Sequence, residues 1–126
     1  MKKLLIFALL ITVLASGFVY STAQAQTVSD CQALIDQTAS DLAAVTIGGN
    51  NPEQTRASLE SKLTGASTKL AEGKYLDAID KLIDFRTSVE KLASAPKPKI
   101  SQADADLLIA DANRAIACIE GLIAEG

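Results

Sequence analysis

The sequence predicts an all-α fold: a small antiparallel up-down bundle of four helices, the first and last joined by a disulfide. Three observations carry this. From Ser29 onward apolar residues recur every three or four positions, and nowhere do they alternate as in a half-buried strand. Turn-forming stretches at Gly48 to Asn51, at Gly73 and at Pro96 to Lys99 divide that region into four segments. The two cysteines, Cys31 and Cys118, fall in the first turn of the first segment and near the end of the last.

Ahead of the helices stands a secretory signal. Lys2 and Lys3 form its basic start, and an almost unbroken apolar run extends from Leu4 to Val19. Ala23 and Ala25 supply small residues where a signal peptidase reads. Cleavage before Gln26 is expected, with cleavage after Ala23 and retention as a membrane anchor as the alternatives. The apolar run is short of the roughly 20 residues a spanning helix needs. Phe18 stands where a lipoprotein would carry its acylated cysteine. Residues 1–25 are thus read as signal peptide and 26–126 as a single helical-bundle domain. About 100 residues support one core, though not a deep one.

The first helix is expected to open at Ser29, with Gln32 reaching back to complete the cap. Its apolar stripe is Cys31, Leu34, Ile35, Thr38, Leu42 and Val45, and Gly48-Gly49-Asn50-Asn51 ends it. Asn51 then caps the second helix, with Pro52 at its first position, where a missing N–H costs nothing. Leu59, Leu63, Ala66 and Leu70 make a narrow face interrupted by Gly65, and Gly73 closes the helix. So short a link makes helices two and three antiparallel.

Helix three carries Tyr75, Ala78, Ile79, Leu82, Phe85, Val89 and Leu92 down one side. Pro96-Lys97-Pro98-Lys99 stops it and holds an extended connection. Ser101, with Asp104 three residues on, opens helix four. Its stripe is Ala105, Leu108, Ile109, Ala112, Ala115, Ile116, Ile119 and Leu122.

In an up-down bundle helix four runs antiparallel to helix one, so the start of one lies beside the end of the other. Cys31 and Cys118 are therefore brought together, and export places them where disulfides persist. Closing so long a loop stabilises by about 4–5 kcal/mol in the chain-entropy treatment, as an upper figure.

Gly73-Lys74-Tyr75, Ala78-Ile79, Leu82, Phe85, Val89 and Leu92 form a pattern with Lys99-Ile100-Ser101, Ala105, Leu108-Ile109, Ala112 and Ile116. Over residues 57–123 this pattern resembles the FIMAH domain, a bacterial extracellular helical module. The resemblance implies an accessory or adhesive role outside the cell and transfers no catalytic residue. Arg86 stands where that family commonly has an apolar residue, and the first helix and both cysteines lie outside its usual pattern.

Composition excludes several functions. The chain carries a formal net charge of −3 and becomes more acidic once Lys2 and Lys3 leave, which argues against nucleic acid. It contains no histidine, so imidazole serves neither as general base nor as metal ligand. Asp77, Asp80 and Asp84 share one side of helix three, but Lys74 and Lys81 lie within a turn, and a solvated face is expected. Asp104, Asp106 and Asp111 are read the same way. No metal, cofactor or catalytic residue is implied. Sugar stacking is disfavoured because Tyr75 and Phe85 belong to the core stripe.

Lys97 and Lys99, on a loop stiffened by two prolines, are the most distinctive exposed feature. They are read as a candidate contact with an anionic envelope polymer or, more plainly, as a solvated connection. The expectation is a secreted or periplasmic, non-enzymatic module binding a protein or envelope component, with no membrane span after signal cleavage. The alternative is a small-ligand carrier or sensor using an apolar groove in the bundle.

Overall fold

Thr27, not Ser29, starts the first helix. The computed structural model describes residues 27–125, and the expected signal peptide lies outside them. Helix α1 spans Val28–Ala44. The Thr27 hydroxyl accepts a hydrogen bond from the Asp30 N–H at 3.1 Å, and the Asp30 carboxylate accepts one from the Thr27 N–H at 3.1 Å. This reciprocal box starts the helix two residues ahead of the cap expected from Ser29 and Gln32. Gln32 turns instead to the next helix. Its amide donates to the Ser67 carbonyl at 2.9 Å and its oxygen accepts from the Ser67 hydroxyl at 2.6 Å.

Helix α1 also ends sooner than expected, at Ala44, with Val45 in extended conformation. Val45, Thr46 and Ile47 are successive β-branched residues, whose crowded χ1 disfavours another helical turn. In the extended stretch Val45 and Ile47 alternate inward, each 6% exposed, while Thr46 points out. Arg56 then closes the helix end. Its guanidinium donates to the carbonyls of Leu42 and Val45, serving orphan acceptors and the negative end of the helix dipole together.

Helix α2 spans Pro52–Ala71. Pro52 takes the first position as expected, but the Asn51 side chain makes no cap. The Asn51 carbonyl instead accepts from both the N–H and the hydroxyl of Thr55, each at 3.1 Å. The buried face is Leu59, Leu63, Ala66 and Leu70. At the far end Gly73 adopts φ +79°. Its N–H reaches the Leu70 carbonyl at 3.0 Å and the Lys74 N–H reaches that of Lys69 at 2.8 Å, the paired closure of a left-handed stop.

Helix α3, Tyr75–Ser94, buries Ala78, Ile79, Leu82, Phe85 and Val89, with Tyr75 and Leu92 half-buried at its ends. Ala95 turns extended ahead of Pro96. Helix α4 spans Gln102–Glu125 and is opened by the Ser101 hydroxyl, which accepts from the Asp104 N–H at 3.1 Å. Its buried face includes Ala105, Leu108, Ala112, Ala115, Ile116 and Ile119 as expected, with Ile109 and Leu122 half-buried, and one residue that was not expected, Asp111.

The four helices form a ring. α1 and α3 each pack on both α2 and α4, so sequence neighbours and the first and last helices are in contact. The core cluster holds Phe85 at 0% exposure together with the buried Leu42, Leu59, Leu82 and Leu108. Burial of each such side chain contributes about 1.5–3 kcal/mol. The Cys31–Cys118 disulfide joins α1 to α4 with the Cα atoms 5.6 Å apart, across 87 residues of sequence. Among the described residues no helix is long and apolar enough to cross a membrane.

Candidate functional site

The disulfide closes one end of the bundle, and the other end is built from two loops. One follows α1 and contains Gly48 to Asn51; the other follows α3 and contains Pro96 to Ile100. Lys99 stitches them together through its backbone. Its N–H donates to the Leu92 carbonyl at 3.0 Å, and its carbonyl accepts from the Gly48 N–H at 2.7 Å. Ile100 is buried beneath and anchors the second loop to the core. Gly49 has φ +95°, and a Cβ there would meet the Lys99 stem at 3.1 Å. Gly49 therefore serves twice: it makes the turn, and it leaves room for Lys99 to lie across it.

Between these loops and the adjoining ends of α2 and α3 lies a cleft of about 870 Å³. Lys91, Lys97 and Lys99 line it, and no carboxylate does. Asn50, Asn51, Gln54, Thr55, Ser58 and Ser88 add neutral hydrogen-bonding groups, over an apolar floor that includes Leu59 and Leu92. Glu53 lines an adjoining shallow depression. Helix α2 begins at this end and α3 finishes here, so their dipoles oppose. The lysines decide the sign of the field. Among the described residues none of the three is in an ion pair. The chemistry offered is attraction of an anion together with donors and acceptors for hydroxyl-rich groups.

The structure thus places the sequence-predicted pair, Lys97 and Lys99, on one wall of a real concavity. Sequence reasoning missed Lys91, which lies in the last turn of α3. The signal was present as three lysines within the last turn of α3 and the loop after it. Gly49, Asn50, Asn51, Gln54, Thr55 and Ser58 carried no comparable signal, because they come from a different loop and helix. Asp77, Asp80 and Asp84 are exposed on α3. Asp77 and Lys81 form no ion pair: the Lys81 stem lies along α2, where a Cβ on Gly65 would meet its Cδ at 3.5 Å. Cys31 and Cys118 are both buried and belong to the scaffold.

Asp111 overturns the expectation of a solvated face on α4. It is 2% exposed, and Arg114 pairs with its Oδ1. Its carboxyl is pushed up from 3.8 to about 6, first by burial, then by the hydrogen bond and negative charge of Asp41 on α1, with Arg114 opposing. Oδ2 is buried without a hydrogen-bond partner. Enclosed in this way, the acid meets no substrate.

The disulfide end carries a different surface. Leu76 is 70% exposed and, with Tyr75, Leu122 and Ile123, lines an apolar depression of about 500 Å³. Comparison with known proteins finds no relative for either surface: no family model, curated protein or solved structure matches the chain.

Proposed function

We propose that this chain is a secreted or periplasmic, non-enzymatic binding module. It engages an acidic component of the cell envelope through the lysine-lined cleft at the end away from the disulfide. The observation that supports this most is the sign of that cleft: three lysines and no carboxylate line it, on a chain whose formal net charge is −3. Such local focusing against the overall charge is what capture of an anion requires. The neutral donors around it suit a hydroxyl-bearing polymer.

The test is retention of the purified, signal-free protein by a cell-envelope fraction. Retention is expected to fall with salt, since exposed charges are screened over about 8 Å at physiological ionic strength. A K91A/K97A/K99A variant with unchanged helicity is expected to be retained ~10-fold less. Protease treatment of the fraction distinguishes a polymer, which survives, from a protein partner, which does not. A second reading rests on the apolar depression around Leu76 and Ile123. Saturable uptake of an environment-sensitive apolar dye, without envelope retention, would favour a small-ligand carrier instead.

A further inference from the structure

Resting on the binding reading above, we infer that the occupant of the lysine-lined cleft is an acidic polysaccharide, its anionic groups meeting the lysines and its hydroxyls meeting a separate neutral surface. The two kinds of polar group in the cleft come from different elements. The charge comes from α3 and the loop after it: Lys91 in the last helical turn, then Lys97 and Lys99. The neutral groups come, Ser88 apart, from α2 and the loop before it: Asn50, Asn51, Gln54, Thr55 and Ser58. Leu59 from α2 and Leu92 from α3 supply the apolar part of the lining.

Each surface asks for a different chemistry. A lysine ammonium only donates, so it suits a group that only accepts, such as a carboxylate. Asparagine, glutamine and serine side chains donate and accept at once, which is what a sugar hydroxyl does. A bare anion would leave that half of the cleft unused. Among the described residues the side chains of Gln54, Ser58 and Ser88 make no hydrogen bond, so their donors and acceptors stand open to a ligand. No aromatic side chain lines the cleft, so the stacking platform that a nucleic-acid strand uses is missing. Leu59 and Leu92 offer instead an aliphatic contact for the C–H face of a sugar ring.

Shape and rigidity agree with a chain as occupant. Most of the lining residues are exposed, so the cleft is a groove in which a polymer lies and not a pocket that encloses a small molecule. Its volume of about 870 Å³ takes a short stretch of such a chain. The backbone beneath each lysine is held before binding. Lys91 is helical, and Lys97 stands between Pro96 and Pro98, which restrict its dihedrals. The Lys99 N–H and carbonyl are both bonded, to Leu92 and Gly48, and its stem lies against Gly49. Ordering costs on binding therefore fall mainly on the lysine tips.

Calorimetric titration of the signal-free, disulfide-bonded protein with three polymers reads the two surfaces separately. Polygalacturonate carries carboxylates and hydroxyls. Its methyl ester keeps hydroxyls without the charge, and polyglutamate carries carboxylates without hydroxyls. Polygalacturonate is expected to bind ~10-fold more tightly than either of the others. K91A/K97A/K99A should lose that binding. Q54A/S58A, with unchanged helicity, should weaken polygalacturonate by ~5-fold and leave polyglutamate as it was. Polyglutamate bound as tightly as polygalacturonate, or indifference to Q54A/S58A, would overturn the sugar assignment in favour of an acidic protein. Absence of lysine-dependent binding to polygalacturonate would overturn it as well. If the envelope fraction still retained the protein through the three lysines, only the choice of occupant would fall; if that retention failed too, the binding reading would fall with it.

Discussion

Gly65 and Gly73 belong to the same helical hairpin and answer opposite needs. Gly65 is in the interior of α2, and a methyl there would rest 3.5 Å from the Lys81 stem, an ordinary contact. Gly65→Ala is expected to stabilise by about 0.5–1 kcal/mol, because it removes unfolded-state freedom without a clash. Gly73 holds φ +79° with open space around it. Gly73→Ala is expected to cost about 1–2 kcal/mol, the penalty of a left-handed backbone on a residue with a Cβ. Urea denaturation of both variants reads the two signs; a loss at Gly65, or no change at Gly73, would contradict the conformational argument. The same logic makes Gly49 a positioning residue, since a side chain there would push Lys99 off the loop that it covers.

At the scale of elements, α1 depends on its neighbour for its C-terminus. It has no basic residue in its last turn and no glycine stop directly after it. Arg56 on α2 provides both charge and donors. Arg56→Ala is expected to destabilise by about 1.5–3 kcal/mol, the range for hydrogen bonds from a charged group. Arg56→Lys should recover only part of this, because an ammonium lacks the fork that spans two carbonyls. Amide exchange in the last turn of α1 should quicken in both variants, more so with alanine. Uniform quickening throughout the protein would mean that Arg56 acts on the core and not on the helix end. The Gln32–Ser67 pair is the corresponding tie nearer the disulfide end of the α1–α2 contact.

The whole molecule is a ring closed between its first and last helices. That closure is made covalently by Cys31–Cys118 and through packing by the shared face of α1 and α4. Domains of this size carry only about 5–15 kcal/mol of net stability. Loss of a native disulfide from a small domain typically costs 2–5 kcal/mol. C31S/C118S is therefore expected to lower the denaturation midpoint steeply while leaving the native helicity unchanged in the absence of denaturant. A midpoint equal to that of the oxidised wild type would show that the ring closes through packing alone. Exposed Leu76 lies at the disulfide end and the lysines at the other. The molecule therefore presents an apolar surface and a cationic one in opposite directions.

The fold was legible because it rests on local rules. Helical spacing set which residues face inward, and Leu59, Leu63, Ala66 and Leu70 are buried as their spacing requires. Pro52, Gly73 and Ser101 act at the helix ends they mark, and an even number of antiparallel helices places Cys31 beside Cys118. Where two local rules competed, the outcome shifted by a few residues. Thr27 with Asp30 outdid Ser29 with Gln32, and the β-branched run of Val45 to Ile47 ended α1 before the glycines did. Lys97 and Lys99 stood out in sequence, but the cleft they line did not, because Lys91 reaches it from α3, Gly49 and Asn51 from the loop after α1, and Gln54 from α2. Asp111 was the clearest miss. Its place in the sequence looks like one more carboxylate on a polar helix face. Only the packing of α4 against α1 buries it and sets it against Asp41. Periodicity tells which side of a helix is apolar, whereas which charges meet across an interface is settled by the register of two helices, a property that neither segment contains alone.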